Sequence, residues 1–402
     1  GCSIVILVSV TRSLTMRTIL LLAIAVPLTG APLEIATGKM LGENYDPRSF
    51  YTRAGSSVWR KTYSDSRHRP EAAGRLMNLR VAQALFHDEW LTEAPFRPED
   101  HTRRVIRALD SWRDAGVLAI SVSLQGGNMA YERTNGLIRR ERAYKLGPAK
   151  GAHISAFRPD GSLKPEWIKR LVTLQKAIEQ RGMFLNLILF YQGQDEILSG
   201  PDAIRAAVRN TVDILVKHDM RNVILEIANE ITIRGWDHDL FIEKNLAELI
   251  RLARSRMTHR KSGFRVPISA STAPSMKLVP GMREEADLTI VHGNGKTPQA
   301  KRDMIRALLT DPSVPGPVYM NEDDNGRETT IENLRKELAS CDAVFESGGS
   351  WGYMPWIQMQ IFPFRHFQPG NNTEVHNDMP VDTRDPNYLA AVLAHIRRLV
   401  LR

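Results

Sequence analysis

The segment Val223-Ile224-Leu225-Glu226-Ile227-Ala228 runs directly into Asn229-Glu230. A nearly unbroken aliphatic run is the pattern of a strand buried on both faces, which means a parallel sheet covered by helices. Such a strand has room for function only at its end, and the carboxyl end is where an α/β barrel exposes its working side chains. Val318-Tyr319-Met320 repeats the design and ends in Asn321-Glu322, placing a second glutamate 92 residues after the first.

From residue 75 onward, runs of this kind alternate with helix-like stretches. Strands are expected at 79–86, 118–124, 184–190, 223–228, 266–271, 288–291, 317–320 and 346–356. Helices are expected at 101–115, 164–181, 201–218, 240–257, 298–309, 330–343 and 388–401. Asp100 and Gly116 bracket the first helix, and Pro165 opens the second. Eight strands alternating with helices make this an α/β chain, and the architecture that fits is a (β/α)8 TIM barrel in a single domain. A doubly wound open sheet is the rival, but no Gly-x-Gly-x-x-Gly fingerprint opens a helix. Residues 75–402 form the barrel on this reading, and 32–74 an N-terminal extension that covers its bottom or packs on its side.

The first 31 residues read as a secretory signal. Met16-Arg17 precedes an apolar core, 18–28, and the small residues Thr29-Gly30-Ala31 follow. Met16 is the candidate true start. The core is short for a membrane span of about 20 residues, so secretion or periplasmic export is expected, with an uncleaved N-terminal anchor as the alternative. The chain of 402 residues carries a formal charge of +9, but its basic residues are scattered and no aromatic-rich basic motif accompanies them. A solvated surface is the plain reading, nucleic-acid binding is not expected, and attraction to acidic glycans is a weaker option. Beyond the signal only Cys341 remains, on the pattern Leu334, Leu338, Cys341, Val344 of a buried helix face, so no disulfide staples the mature chain.

Two glutamates at two strand tips suit the cleavage of a glycosidic bond. A retaining enzyme needs two carboxyl groups about 5 Å apart, one to protonate the leaving oxygen and one to attack the anomeric carbon. Counted along the chain, Glu230 ends strand four and Glu322 ends strand seven. With those residues so placed, the chain resembles the clan A glycoside hydrolases, the cellulase-like barrels of the family 5 type. It is also similar to bacterial proteins whose strand ends read Leu-Gln-Gly-Gly, Gly-Gln-Asp-Glu, Ala-Asn-Glu, His-Gly-Asn, Asn-Glu-Asp-Asp and Ser-Trp-Gly-Tyr.

The resemblance implies roles. Glu230 would be the acid/base and Glu322 the nucleophile. Asn229 would bind the sugar 2-hydroxyl, His292 would touch the nucleophile region, and Trp351 would floor a sugar subsite with its flat apolar face. Asn321 joins the substrate-binding set, and no cofactor is implied. Gln125, Tyr191, Gln192, Gln194 and Asp195, at the ends of strands two and three, are candidate donors and acceptors for sugar hydroxyls, as are His87, Asp88 and Glu89 at strand one. Three departures from the family pattern stand out. Ile231 follows Glu230 where the family has Pro, and His292-Gly293-Asn294 lacks the usual Tyr. Asn321-Glu322-Asp323-Asp324 offers three acids for one role. Strand phase favours Glu322, with Asp324 as fallback.

The same residues have plainer readings. Glu226 is a structural group inside the barrel, Trp351 and Tyr353 plug it, and the acidic triplet is a solvated loop or a cation site. Three functions follow: a retaining hydrolase of a β-linked poly- or oligosaccharide, a carbohydrate-binding barrel without chemistry, or a metal-dependent hydrolase using Asp323, Asp324 and His292.

Overall fold

The computed structural model describes residues 31–86, 97–126, 154–233, 236–238, 245–259, 263–324, 330–355 and 386–402. The signal-like segment, His87-Asp88-Glu89, most of the loop 126–160 and the loop 362–385 lie outside the described residues.

Eight parallel strand positions close on themselves. The order of neighbours runs from Ile268–Ser269 through Val223–Ala228, Phe184–Phe190, Ala119–Ser123, Asn78–Arg80, Ser350–Tyr353, Val318–Asp323 and Thr289–His292 to Ser271–Thr272. The two ends of that order are halves of one strand, broken at Ala270. Its first half pairs with strand four and its second with strand six. Closure removes both sheet edges. The chain is a (β/α)8 barrel. Helices Pro98–Asp114, Pro165–Glu179, Pro201–Lys217, Leu246–Arg256, Pro280–Glu285, Pro298–Thr310, Ile331–Glu346 and Pro386–Val400 follow the strands in turn. Six of the eight begin with proline at the first helical position, where the missing N–H leaves no bond unmade. None of the described helices is long and apolar enough to cross a membrane.

Several expected elements move. The run 79–86 is not one strand. Asn78–Arg80 pairs in the sheet, and Ala82–Leu85 then coils into a 3₁₀ turn whose residues are all buried. A buried helical turn and a buried strand are equally apolar, so periodicity could not separate them. The last strand is Ser350–Tyr353 rather than 346–356, because the preceding helix runs to Glu346. The short helix Pro280–Glu285 was not expected, since its Pro-Gly start reads as loop.

Residues Leu33–Thr37, Phe50–Ala54 and Arg60–Lys61 form a three-stranded antiparallel sheet. Side chains of this N-terminal segment, in the sheet and in its connections, hold backbone that leads into the barrel strands. Thr37 Oγ1 donates to Asp287 O at 3.1 Å, Lys39 Nζ to Ala286 O at 2.7 Å, and Arg48 Nη1 to Gly316 O at 3.0 Å. Arg221, which leads into strand four, pairs with buried Glu34 at 2.7 Å. These anchors are all at the amino ends of strands, so the opposite rim is left for Glu230 and Glu322. Cys341 is buried on its helix.

Candidate active site

Strand four hands the chain to Glu230 in an uncommon conformation. Glu230 has φ +48°, the left-handed region that a side chain with a Cβ enters at a cost of about 1 kcal/mol or more. Three bonds hold it there. Its N–H donates to Ser271 Oγ at 2.9 Å, its carbonyl accepts from Ile233 N at 2.9 Å, and the indole N–H of Trp236 reaches that carbonyl at 3.5 Å. The neighbouring Ile231 N–H donates to Ser271 O at 2.9 Å. A proline at 231 would lose that bond, so this departure from the family pattern has a local use.

Strand seven delivers Glu322 to the same place by a bulge. Met320 pairs with Trp351, yet Tyr353 pairs with Asp323, so strand seven carries one residue more than its neighbour. The extra residue breaks simple alternation. Asn321 and Glu322 both bond inside the barrel, while Asp323 turns out to the helix layer. There Asp323 meets buried Lys301 at 2.7 Å and accepts the Trp351 indole N–H at 2.8 Å; Lys301 also donates to Ser340 Oγ at 2.9 Å. Asp323 therefore cannot share a metal with His292, which corrects the metal-site alternative. Lys301 and Asp323 are both fully buried. Lys301→Met should leave an unpaired buried carboxylate and lower unfolding stability by about 3–5 kcal/mol, read from denaturant melts.

Glu322 is surrounded by donors. Arg80 Nε lies 2.6 Å from Glu322 Oε2, and Asn294 Nδ2 donates to Oε1 at 2.6 Å. Asn294 thus supports Glu322 from the sequence position two beyond His292, where the family pattern has Tyr. The glycine between them is closely packed, so a larger residue would have to displace buried neighbours. A Cβ on Gly293 would lie 2.6 Å from Met320 Sδ and 2.8 Å from Asp323 Oδ1. His292 joins the two glutamates, with Nδ1 3.0 Å from Glu230 Oε1 and 3.5 Å from Glu322 Oε2. One oxygen of each carboxylate and one nitrogen of the imidazole all lie within 4.8 Å of one another.

Charge follows from this packing. Burial opposes ionisation of Glu322, but Arg80, His292 and the Asn294 amide outweigh it and hold the carboxyl below its usual range. Burial likewise opposes a charged His292, and the charge of Glu322 with the bond to Glu230 overrides it, raising the imidazole. Tyr191, bonded to Arg80, has its phenol raised by burial and by Glu322.

The other expected residues divide. Asn229 faces the site: its Oδ1 accepts from Arg80 Nη2 at 2.7 Å and its Nδ2 donates to Gln192 Oε1 at 3.2 Å, while Gln192 Nε2 lies 3.4 Å from Glu230 Oε2. Tyr191 is half-buried beside them. Three expectations are corrected. Gln125 is buried and fully used within the protein: its amide donates to Ser155 Oγ and Gln194 O and accepts from Tyr191 N. Asn321 lies inside the barrel, donating to Glu226 Oε2 at 2.8 Å alongside Asn186 at 2.7 Å. Trp351 is fully buried, tied to Asp323 and stacked on Tyr353 at 6.1 Å, so it is a wall and offers no open floor.

Sequence reasoning missed Arg80, Ser271 and the use of Asn294. Arg80 did leave a signal, as a single cation inside the run Leu79-Arg80-Val81. A charge in a buried strand needs a buried partner.

No family model matches the sequence, and no curated protein matches it. Solved structures do. The β-glucosidase from Thermotoga maritima, in complex with a methoxycarbonyl-substituted glucoimidazole, aligns over 82% of this chain and 99% of its own, with TM-score 0.50 and 11% identity. The likeness is one of fold. An exo-β-1,4-mannosidase from Opitutaceae bacterium strain TAV5 has TM-score 0.48 and 12% identity over 83% of this chain. This chain spans 62% of that protein's length. A GH5_18 protein from Streptomyces cattleya in complex with GlcNAc has TM-score 0.48 and 13% identity, covering 81% and 80% of the two chains.

Proposed function

We propose that the barrel is a retaining glycoside hydrolase acting on a β-linked oligo- or polysaccharide. One observation carries the reading: carboxylate oxygens of Glu230 and Glu322 lie within 4.8 Å of each other at the carboxyl ends of strands four and seven. Retention uses carboxyl groups about 5–5.5 Å apart, whereas inversion leaves about 6.5–9.5 Å for a water between them. The β linkage is the finer part of the proposal, suggested by the fold shared with a protein named as a β-glucosidase.

In the first step the Glu322 carboxylate attacks the anomeric carbon while the bond to the leaving oxygen breaks and Glu230 protonates that oxygen. In the second, water attacks the same carbon, gives its proton to Glu230 and releases the Glu322 carboxylate. Arg80, His292 and Asn294 keep Glu322 ionised for the attack. Asn229, fixed by Arg80 and Gln192, stands next to the reacting pair and is the residue for the sugar 2-hydroxyl. The spacing of Glu230, His292 and Glu322 also suits a metal ion. The positive charge of Arg80 against Glu322 and the raised imidazole both oppose one there.

A panel of aryl β-glycosides and short β-linked oligosaccharides tests the proposal. Wild type should release the β-anomer first, followed by NMR, and chelator should not change its rate. Glu230→Gln should lose about 10³-fold in kcat/KM on substrates with poor leaving groups. Equal rates in wild type and Glu230→Gln, or an α-anomer appearing first, would sink it.

A further inference from the structure

Strand seven carries its extra residue against both neighbours. On the strand-six side Val291 pairs with Met320 and His292 with Glu322, which leaves Asn321 over. On the strand-eight side Trp351 pairs with Met320 and Tyr353 with Asp323, so Gly352 stands against both Asn321 and Glu322. A bulge of this kind bends a strand and re-aims a side chain. In regular alternation successive side chains point to opposite faces. Counted from Asn321, which donates to Glu226 inside the barrel, Glu322 would then face the helices and Asp323 the interior. The observed order is the reverse.

Asp323 anchors that reversal. Lys301, on the helix after strand six, has its Nζ 2.7 Å from Asp323 Oδ1 and donates to Oδ2 at 2.9 Å. Strand eight adds the Trp351 indole N–H, and the next helix holds Lys301 through Ser340. A fully buried ion pair adds little stability over apolar residues of the same volume, and its best-attested use is to fix register. The pair also bears on the partners of Glu322. Asp323 Oδ1 packs so close to Gly293 that a Cβ there would lie 2.8 Å away, and the Gly293 N–H donates to the Glu322 carbonyl at 2.9 Å. Gly293 stands between His292 and Asn294, which meet the Glu322 carboxylate from strand six.

We propose that Lys301 is a positioning residue for Glu322: by holding Asp323 in the helix layer it fixes the bulge, and the bulge turns Glu322 toward Glu230 and His292. This role rests on the reading of Glu322 as the nucleophile. Lys301 acts through Asp323, from the far side of the strand. Without Lys301 the Asp323 carboxylate loses its ion-pair partner, and a buried charge so stranded is costly. Strand seven then gains by returning to regular alternation, which withdraws Glu322 from the site and loosens the contacts of Gly293 with it.

Lys301→Met, measured well below its melting transition, tests this in folded protein. Its kcat on an aryl β-glycoside should fall about 10²-fold, the cost of misplacing a reacting group by about 1 Å. KM should change far less. A second readout needs no substrate. In wild type the charge of Glu322 and the bond to Glu230 raise the His292 imidazole above its usual 6.5. NMR titration of histidine-labelled Lys301→Met should show that pKa falling back toward 6.5 as Glu322 withdraws. Adding Asp323→Leu to Lys301→Met places at 323 an apolar side chain that belongs in the helix layer, and should restore most of both readouts. Asp323→Asn keeps the volume and weakens the ion pair; it should move both readouts in the direction of Lys301→Met, and it serves if that variant does not fold. Wild-type kcat and wild-type His292 titration in the folded variants would overturn the proposal and leave the pair a stabilising element only. A wild type that cleaves no glycoside would instead defeat the hydrolase reading, and the His292 titration would still decide whether Lys301 positions Glu322.

Discussion

Glu322→Ala is expected to lower kcat/KM on an aryl β-glycoside by about 10⁵-fold, some 7 kcal/mol of transition-state stabilisation. The effect should be this large because the residue forms and breaks a covalent bond, a role no neighbour can assume. Asp323 is sealed against Lys301 and Trp351. The variant also leaves a cavity on the attacking face. A small anion such as azide should enter it, displace the leaving group while Glu230 protonates that group, and yield the α-glycosyl azide from a β-glycoside. Glu230→Ala should give the opposite product: Glu322 still forms the glycosyl-enzyme, and azide then releases the β-glycosyl azide. The two anomers separate the roles without assuming them. If Glu322→Ala stays within tenfold of wild type while Asp324→Ala loses activity, the nucleophile has been assigned to the wrong acid.

The barrel was legible in the sequence because its strands are buried on both faces, which makes them apolar runs whatever they pack against. Polar residues at the ends of those runs then marked the rim, and Glu230 and Glu322 were found as the first acids beyond the aliphatic stretches. What could not be read was direction within the rim. Strand phase selected Glu322 on the assumption of regular alternation, and the bulge breaks that alternation. Glu322 and Asn321 both turn inward, and Asp323 turns out to Lys301. Glu322 does reach Glu230 and His292, and its placement rests on one inserted position. Gln125 and Trp351 show the same limit: a polar or aromatic residue at a strand end is equally suited to a ligand or to its own neighbours. Arg80 shows the converse. It lay hidden in an apolar run because its charge is neutralised by a residue 242 positions away.

Arg80 carries the second large effect. It is fully buried and makes two contacts that define the site, with Glu322 at 2.6 Å and with the Asn229 amide oxygen at 2.7 Å. Arg80→Met keeps most of the volume and removes the charge. A buried carboxylate that loses its partner costs about 3–5 kcal/mol of folding stability, and the same loss should lower kcat/KM by about 10³-fold. The pH dependence distinguishes this from simple loosening. Glu322 has its folded pKa depressed from 4.5, so its stabilisation is present above that value and lost as pH falls through the folded pKa. His292 has its folded pKa raised from 6.5, so its stabilisation is present below that value and lost as pH rises through the folded pKa. In wild type the two contributions are complete together between about pH 4.5 and 6.5. Removing Arg80 takes away the strongest force depressing Glu322, so its pKa rises and the low-pH edge of both stability and kcat/KM should move upward. His292 loses a repelling neighbour in the same variant, so the high-pH edge of stability should not fall. Denaturant melts and rate profiles across pH 3–8 read both edges. A uniform loss at every pH, with the low-pH edge in place, would mean that Arg80 only fills space and that something else keeps Glu322 ionised.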